Sequence, residues 1–342
     1  MRTIYVGMDI HKNFIQAAAM DENGDIIKEQ KIKSNKEEIK RFICNLKNPE
    51  KVQAAIEATC TWYHVYETLD ALGVETTLVN VRRTKVIAES KIKTDPLDAK
   101  NIAHCLRTGF IATAYIPPKQ VMEQRNLLRH RMSLRKEITR YKNKVHAILL
   151  RNGIQYPICT DLFGVGGMKF LHRIKLTSSE QYRLTSYLNI IKTLIQEKNH
   201  IAKNIETLCK NNDQAMLLTS IPGISYYGAM AILTEIGEIH RFTNPKKLCS
   251  YAGLVPRTIQ SGNHTFYGRI LKECNQNLKW ILNQCTHIHI RNCPNSLITK
   301  LYYRVKKKKG TNKATVAASR KLLTCIWYML MKSEMFKYSN DD

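Results

Sequence analysis

Hydrophobic and polar positions in the first third of the chain follow two different periods. Three β-prone segments come first, and an Asn-Gly turn signal in DENGD separates the last two of them: TIYVGMDI, FIQAAAM and IIKEQKI. In SNKEEIKRFICNL the apolar residues change to helical spacing, and Ser34 is the candidate N-cap. This pattern predicts three strands connected by hairpins, followed by a helix.

Strand-like and helical segments then alternate as far as Gly109. VQAAIEA and VETTLVNV are predicted to be buried strands, and TWYHVYETLDALG is predicted to be a helix closed by Gly73. A helical segment from about residue 81 leads into DPLDAKNIAHCLRTG, which ends at Gly109. Three hairpin strands followed by alternating helices and strands predict a mixed α/β sheet with helices on its faces.

Two long segments with helical spacing follow a break at the Pro117–Pro118 pair. They run from about residue 122 to 150 and from about 178 to 211, and a loop containing GVGG (164–167) is predicted between them. The second segment carries a heptad series, namely Leu184, Leu188, Ile191 and Ile195. The two segments predict an antiparallel coiled-coil arm, and a compact helical subdomain is the alternative that the sequence leaves open.

The chain beyond residue 215 is predicted to be mainly helical, with breaks at PG, NP, VPR and SGN. The stretch KKKKGTNKA (306–314) is predicted to be a basic loop before a last helix. Together these patterns predict three domains. They are an α/β domain over 1–118, a helical arm over 119–212 and a mainly helical domain over 213–342.

Charge changes the picture by indicating a partner. The 342-residue chain carries 54 Lys and Arg against 28 Asp and Glu, which gives a formal net charge of +26. Such an excess destabilises a compact fold through self-repulsion unless the protein works on a polyanion. Between residues 239 and 333 there are 18 Lys and Arg and a single acid, Glu273. Nucleic acid is therefore the predicted partner, and this last third is predicted to face phosphates.

Cysteine usage and hydropathy limit the compartment. The ten cysteines are scattered without any CxxC pair, which argues against a structural zinc site and a disulfide framework. No apolar run reaches the roughly 18 residues of a membrane span. The start of the chain, MRTIYVGMDIHK, lacks the apolar stretch of a secretion signal. We therefore expect a cytoplasmic protein with free thiols and no membrane partner.

Four carboxylates occupy positions that suit metal binding. Asp9 lies at the end of the first predicted strand, Glu57 ends a buried strand, and Asp95 and Asp98 stand one helical turn apart. Converging carboxylates repel one another, and a divalent cation with open positions, such as Mg²⁺, removes that penalty. Each acid alone also has an ordinary structural role, such as a strand-end cap, a salt-bridge partner or an N-cap before Pro96.

The N-terminal motifs resemble those of the DEDD-type insertion-sequence transposases (the insertion sequence 110 family), a group that also contains a pilin-gene invertase. These motifs are GMDIHK, IEAT and KTDPLDAKNIA. In that family a RuvC-like, ribonuclease H-like domain carries an Asp, Glu, Asp, Asp set. The matching positions here are Asp9, Glu57, Asp95 and Asp98. The resemblance implies that these four residues hold Mg²⁺ against DNA.

The second half of the chain resembles the same family. SIPGISYYGAMAILTEIG matches its Pro-Gly-Ile helix–turn–helix element, and RFTNPKKLCSYAGLVPRTIQSGN matches its block ending in Ser-Gly. The serine of that block is the family's covalent nucleophile, and the matching residue is Ser261. A serine before a glycine in a polar loop is ordinarily a turn residue, so its catalytic role rests on the resemblance. The implied activity is the cutting and rejoining of DNA through a phosphoserine.

The resemblance also implies partners. Members of the family are guided by a structured non-coding bridge RNA that pairs with donor and target DNA, and they share active sites between the subunits of a dimer or tetramer. A prokaryotic, nucleoid-associated protein is expected. Five basic residues are plausible phosphate contacts, although a solvated basic face would have the same composition: Lys246, Lys247, Arg257, Arg269 and Lys272.

The sequence departs from the family pattern at two positions, and two alternative functions remain open. Cys60 and Cys274 stand where the family usually has glycine, and a positive φ at either position would strain a cysteine. One alternative is a RuvC-like metal-dependent hydrolase, a junction resolvase or nuclease, in which the acids activate water and Ser261 is a turn residue. The other is an inactive nucleic-acid-binding remnant of a mobile element, against which the presence of all four acids counts.

Overall fold

The computed structural model describes residues 3–46, 51–80, 83–84, 94–155, 161–261 and 264–337. The chain divides into two compact units, Met1–Ile116 and Pro117–Asp342. The helix predicted from about residue 81 lies mostly outside the described residues. Each unit has its own hydrophobic core and is described by itself.

A six-stranded mixed sheet forms the first unit. Its strands are β1 (Ile4–Ile10), β2 (Phe14–Met20), β3 (Ile26–Lys33), β4 (Val52–Glu57), β5 (Glu75–Val79) and β6 (Thr113–Ala114). The strand order is β3-β2-β1-β4-β5-β6. The first three strands are antiparallel neighbours, whereas β4 lies parallel to both β1 and β5. The hairpin-connected strands and the mixed sheet predicted from the sequence are therefore confirmed.

Among the described residues, three helices cover the two faces of this sheet: α1 (Lys36–Cys44), α2 (Trp62–Asp70) and α3 (Asp95–Thr108). The apolar sides of α1 and α2 pack on the face that carries Val6 and Met8, while α3 packs on the opposite face. The α1 N-cap is Asn35, whose side chain accepts from the amide of Glu38, so the prediction of Ser34 is wrong by one residue. The predicted end of α3 at Gly109, in the left-handed conformation, is confirmed.

The second unit begins with two long helices, α4 (Lys119–Arg151) and α6 (Ser178–Lys210), joined through the short helix α5 (Val165–Arg173). GVGG was predicted to lie in a loop, but the last three of its residues begin α5. The two long helices run antiparallel, because residues near the end of α4 pack with residues near the start of α6. The coiled-coil arm itself stays a prediction.

Two separate cores line this helix pair. The outer core contains residues from the end of α4, from α5 and from the start of α6, among them Val145, Leu171 and Leu188. At the other end, Leu128 and Ile205 belong to the large core of the remaining helices. The same two helices are therefore buried against different partners at their two ends.

The rest of the second unit is helical with one β-hairpin. Its elements are α7 (Asp213–Thr219), α8 (Tyr226–Ile236), a 3₁₀ turn (Ile239–Arg241), α9 (Pro245–Tyr251), β7 (Pro256–Ser261), β8 (His264–Ile270), α10 (Gln276–Asn292), α11 (Leu297–Lys309) and α12 (Thr311–Lys332). The helix–turn–helix predicted around Pro222 and Gly223 is confirmed as α7 and α8. Two predictions are wrong: the hairpin was not expected, and the lysines at 306–309 close α11 rather than form a loop.

Candidate active site

Three side chains that could share a metal ion meet at the carboxyl end of β1. Asp9 lies within β1, His11 follows that strand, and Asp95 begins α3. Nε2 of His11 lies 3.1 Å from Oδ2 of Asp9 and 3.4 Å from Oδ1 of Asp95. One ligand atom from each of the three lies within 4.8 Å of the others. Asp9 is buried, while His11 and Asp95 are partly exposed, so the group opens to solvent on one side.

Glu57 joins this group from the neighbouring strand. The parallel register pairs Met8 with Ile56, so Glu57 ends β4 beside Asp9. Burial raises the pKa of Glu57, and the charge and hydrogen bond of Asp9 raise it further. The charge of Asp98, one turn along α3, raises the pKa of Glu57 as well, whereas His11 lowers it. The structure thus brings together the four carboxylates that the sequence singled out: Asp9, Glu57, Asp95 and Asp98.

His11 is the member of the group that the sequence reasoning missed. Successive side chains of a strand alternate between faces, so residues two apart, such as Asp9 and His11, point to the same side. That spacing in Asp-Ile-His was the available signal. The imidazole stacks on Phe14 with ring centroids 4.5 Å apart, and Nζ of Lys31 lies 3.7 Å from the centroid of the Phe14 ring. These contacts hold the ring toward the carboxylates.

Gly7 sets the distance between α3 and the sheet. A β-carbon on Gly7 would overlap the carbonyl oxygen of Ala99 and would lie 3.1 Å from Cα of Ala103. The helix therefore rests directly on the backbone of β1, two residues before Asp9. This close approach is what places the carboxylates of α3 beside those of the strands.

A polar contact across the sheet also holds α3 in place. Nζ of Lys100, on α3, lies 2.7 Å from Glu29 of β3. Nε2 of Gln16 donates to the other oxygen of Glu29 at 3.4 Å, and Gln16 is paired with Asp9 in the β1–β2 register. The Lys100–Glu29 ion pair thus connects α3, which carries two of the carboxylates, to β3. Through Gln16 it also reaches β2, the strand that pairs with β1 at Asp9.

The chemistry of these side chains fits a divalent cation. Carboxylate oxygens are the ligands that Mg²⁺ and Mn²⁺ prefer, and an imidazole nitrogen is compatible with several divalent metals. Burial is the largest cause of the raised pKa of Glu57, and the charges of Asp9 and Asp98 add to it, as expected of neighbouring carboxylates that repel one another without a cation. A bound cation would replace that repulsion with attraction, so the donor set suits a metal centre better than it suits a structural ion pair.

Ser261 belongs to the second unit, where it is the last residue of β7 and pairs in register with His264 of β8. The hairpin therefore presents residue 261 at its tip rather than in an irregular loop. The adjacent Gly262 and Asn263 lie outside the described residues.

A buried carboxylate anchors the base of this hairpin. Nε and Nη2 of Arg129 donate to the two oxygens of Glu235 at 2.7 and 2.8 Å. Nδ2 of Asn275 donates to Glu235 at 2.8 Å and to the hydroxyl of Tyr251 at 3.0 Å. That hydroxyl donates to the backbone carbonyl of Glu235 at 3.2 Å. Tyr251 precedes the hairpin and Asn275 follows it, so one side chain ties both of its ends to α4 and α8.

All five predicted phosphate contacts are exposed: Lys246, Lys247, Arg257, Arg269 and Lys272. None of them forms an ion pair with another residue in the described part of the chain. Lys246 and Lys247 lie in the first turn of α9, after the N-cap Asn244. Their side chains are available to a polyanion, and their role in binding stays a prediction.

The two cysteines at usual glycine positions adopt ordinary backbone conformations. Among the described residues other than glycine, only Ser333 has a positive φ, so neither Cys60 nor Cys274 carries the strain considered above. The thiol of Cys274 fills the space above Gly253, whose own φ is +64° and where an added β-carbon would overlap that sulfur. The fold therefore accommodates both substitutions.

The fold and the site together define a class of protein. A mixed sheet with the order of the first unit and an acidic cluster at the carboxyl ends of β1 and β4 are consistent with a RuvC-like domain. Residues 6–152 match the family model of the DEDD-type transposases of insertion sequence IS110. Residues 215–303 match the model described as transposase of the IS116/IS110/IS902 family. The protein is thus a transposase, an enzyme that acts on DNA.

Curated relatives identify the family. The chain is 31% identical to the transposase for insertion sequence element IS1533 of Leptospira borgpetersenii, over 71% of this chain and 72% of that protein. It is 24% identical to the transposase for insertion sequence element IS1111A of Coxiella burnetii, over 97% of this chain and 91% of that protein. The chain belongs to the IS110 family of insertion-sequence transposases. None of the described helices has the length and hydrophobicity needed to cross a membrane.

Proposed function

We propose that this transposase cuts and rejoins DNA strands through a phosphoserine at Ser261, assisted by a Mg²⁺ site built from Asp9, Glu57, Asp95 and Asp98. His11 completes the site. The observation that carries the proposal is the convergence of Asp9, His11 and Asp95 within 4.8 Å, with Glu57 and Asp98 close enough to act on one another electrostatically. Metal ions held by such ligands can stabilise the attacking and the leaving oxygen in phosphodiester chemistry.

The covalent step balances without an external energy source. The Oγ of Ser261 forms a bond to the phosphorus while the bond from phosphorus to one deoxyribose oxygen breaks, and the serine proton ends on the departing oxygen. The new phosphoserine keeps the energy of the broken ester. Attack on it by the sugar hydroxyl of another strand reverses the step and joins the strands. A serine hydroxyl is a weak nucleophile at its ordinary pKa and requires activation.

The metal, when bound, would supply Lewis-acid stabilisation of the phosphate and would lower the cost of activating the hydroxyl. The carboxylates of Asp9, Glu57, Asp95 and Asp98 would hold it, with His11 as an added nitrogen donor. Lys31 and Phe14 would keep the imidazole in orientation. Mg²⁺ is the proposed ion because most of the donors are carboxylate oxygens.

The proposed partners are donor DNA, target DNA and a bridge RNA. Base pairing by an RNA would read sequence, while the protein would supply charge and chemistry. The net charge of +26 supports such a role, because backbone contacts need cations rather than base-reading side chains. In the proposed assembly, a dimer or tetramer, the serine of one subunit acts with the acidic cluster of another.

Covalent capture on a suicide DNA substrate tests this proposal. The substrate carries a nick close to the cleavage point, so that the cut end diffuses away and the phosphoserine cannot be reversed. Wild-type protein with Mg²⁺ should give a denaturation-resistant DNA adduct that maps to Ser261 in peptide mass spectrometry. Ser261→Ala should give none, while Thr258→Ala, the removal of another hydroxyl on β7, should behave like wild type.

The same experiment separates the two alternatives. A hydrolase would cleave the substrate without any adduct in either variant, and Ser261→Ala would then cleave as well as wild type. A non-catalytic remnant would neither cleave nor form an adduct, with or without Mg²⁺. Either result would overturn the phosphoserine mechanism.

A further inference from the structure

A basic cleft lies in the second unit, apart from the hairpin that carries Ser261. It is a cavity of about 380 Å³ between the inner half of the helix pair and the helices α8 and α10. Four cations line it: Arg131, Arg135 and Lys142 from α4, and Lys198 from α6. Its other wall includes Tyr227 and Trp280. Among the described residues that line this cavity there is no acid.

Aromatic rings, rather than carboxylates, hold two of these cations. The guanidinium of Arg131 lies 3.9 Å from the ring centroid of Tyr227, and that of Arg135 lies 4.8 Å from the ring centroid of Trp280. A ring face orients a cation by its quadrupole without neutralising its charge. The charge of both guanidinium groups therefore remains available to a ligand.

The cleft contains a donor that the protein does not use. Nε of Arg131 is buried and has no hydrogen-bond partner among the described residues. In the described ranges, the acid paired with Lys142 is Asp161, at 3.9 Å. Within the described part of the chain, Arg131, Arg135 and Lys198 form no ion pair. A buried polar group that is left unpaired costs free energy, so an acceptor from outside the chain would stabilise this arrangement.

The cations also destabilise one another. Burial lowers the pKa of Lys198, and the charges of Arg131, Lys142 and Arg135 lower it further. A lysine with only a structural role would be expected near an acid, where its pKa would rise. Here the protein places four cations together at a cost that an anion would remove.

We propose that this cleft binds the phosphodiester backbone of a nucleic acid strand, with Arg131, Arg135 and Lys198 as its phosphate contacts. The inference rests on the proposed function only in taking nucleic acid as the partner, and it adds a binding site whose lining residues include none of the proposed reacting groups. The helix α8 begins at the edge of the cleft, where Gly223 and Ser225 line it, and a helix N-terminus favours a phosphate. A strand seated here would be held between the helix pair and α10.

Salt-dependent binding of Lys198→Gln tests the proposal. The probes are a labelled single-stranded DNA, a duplex DNA and a hairpin RNA, each measured by fluorescence anisotropy across a range of salt concentrations. Loss of one phosphate contact should reduce the slope of log affinity against log salt by about one, which is roughly tenfold in affinity at 0.1 M salt. The probe that shows this loss identifies the strand that occupies the cleft.

The matched control is Lys192→Gln, which removes an exposed lysine on the same helix outside the cleft. It should leave the slope within error of wild type. Without nucleic acid, Lys198→Gln should keep or raise the melting temperature, since it removes repulsion among the cations. A structural lysine would instead lower the melting temperature and leave the slope unchanged, and that result would overturn the proposal.

Arg135→Gln provides a second reading, because Arg135 is exposed and its loss does not threaten the core. This variant should also reduce the slope of log affinity against log salt by about one. Equal slopes for wild type and both variants with all three probes would contradict the proposal. If wild-type protein bound these probes with the expected loss of slope in the variants but never formed the serine adduct, the phosphoserine mechanism would be wrong and the cleft would still be a phosphate site. If Lys198→Gln formed the serine adduct as well as wild type and its salt slope were unchanged, the cleft proposal would be wrong and the phosphoserine mechanism would stand.

Discussion

Gly7 of β1 lies directly beneath Ala99 of α3, so close that residue 7 has no room for a β-carbon. This contact fixes the height of α3 above the sheet, and α3 carries Asp95 and Asp98. The geometry of the acidic cluster therefore depends on a residue that has no side chain and takes no part in chemistry.

Gly7→Ala should destabilise the first unit and spread the acidic cluster. Overpacking of a tight interior contact typically costs about 1–3 kcal/mol. Chemical unfolding should show this loss, and the stabilisation of the protein by divalent cations should fall in parallel. Gly73→Ala is a useful contrast: its added β-carbon would meet no atom within 4 Å, although its positive φ adds strain. If Gly7→Ala were stabilised by divalent cations as much as wild type is, the acidic cluster would not depend on the close contact between Gly7 and α3.

Divalent cations should stabilise the wild-type protein by binding the acidic cluster. A ligand at 100 times its dissociation constant adds about 2.7 kcal/mol to the free energy of unfolding. Asp98→Asn should lose most of that gain and, without metal, should be slightly more stable than wild type because the carboxylates no longer repel one another. Glu37→Gln, an exposed acid in the first turn of α1, should respond to metal as wild type does. Thermal melts with Mg²⁺, with Mn²⁺ and with a chelator would show the difference.

Arg129→Ala should destabilise the second unit more than the loss of an exposed ion pair does. Removal of one partner from a fully buried ion pair costs about 3–5 kcal/mol, because the other charge stays buried. The Arg129 side chain is 45% exposed while Glu235 is buried, so the expected loss is smaller, about 1–3 kcal/mol. Glu235 would be left in the core with Arg125 at 3.8 Å and with the side-chain amides of Asn275 and Asn277 as donors. Arg140→Ala is the matched control, since its pairing with Glu137 is exposed and such pairs contribute about 0–1 kcal/mol. Equal unfolding free energies for the two variants would contradict this role of Glu235.

Glu235 should also make the stability of the second unit depend on pH in the acidic range. Burial alone would raise the pKa of Glu235, but the hydrogen bond and charge of Arg129, with help from Asn275 and Arg125, hold the pKa below its ordinary value. A lowered pKa means that this stabilisation is present above the pKa of the unfolded chain, about 4.3, and is lost as pH falls through the folded pKa. Glu235→Gln should therefore differ most from wild type near neutral pH. Urea unfolding at pH 7 and at pH 3 would measure the difference, which should shrink in acid.

His289 should add a second pH dependence in a different range. Its ring is fully buried between the carbonyl of Pro222 and the hydroxyl of Ser296, each at 2.8 Å. Burial lowers the pKa of His289, although the Pro222 carbonyl raises it in part. Because the unfolded chain takes up a proton below about pH 6.5 and the folded protein resists it, stability should fall as pH drops from 7.5 toward 5.5. His289→Gln, which cannot be protonated, should show a flatter profile over that interval.

The N-terminal half of the fold could be predicted because its signals are local. Strands with apolar faces, an Asn-Gly turn and a closing glycine each occupy a few consecutive residues, as in Gly109 after α3. The order of the elements then places Asp9 and Glu57 at neighbouring strand ends. His11 was missed because its two-residue spacing from Asp9 is a weak signal, and the sequence does not show that α3 brings Asp95 to the same histidine.

The β7–β8 hairpin could not be predicted with the same ease. Its described residues are mostly exposed, so they lack the alternation of buried and solvated positions that marks a strand. The polar sequence SGN between PRTIQ and HTFYGRI is a local signal, but in a chain segment rich in helical spacing it predicts a break between helices equally well. The lysines at 306–309 misled for the opposite reason. Four cations suit the last turn of a helix, where they face its negative end, and Gly310 alone stops α11.

The basic cleft shows what sequence cannot supply. Its cations come from α4 and α6, and its rings come from α8 and α10, so the cluster exists only once four helices have packed. Along the sequence, Lys198 resembles any solvated lysine on a charged helix.

The division of the long helix pair between two cores has a mechanical consequence. Since Val145 and Leu188 pack with α5 while Leu128 and Ile205 pack with the main helical core, the outer end can melt without disturbing the inner one. Hydrogen exchange should then show two opening free energies along each long helix, with the smaller one at the end that packs with α5. One pair of helices would thus contain two segments of different local stability.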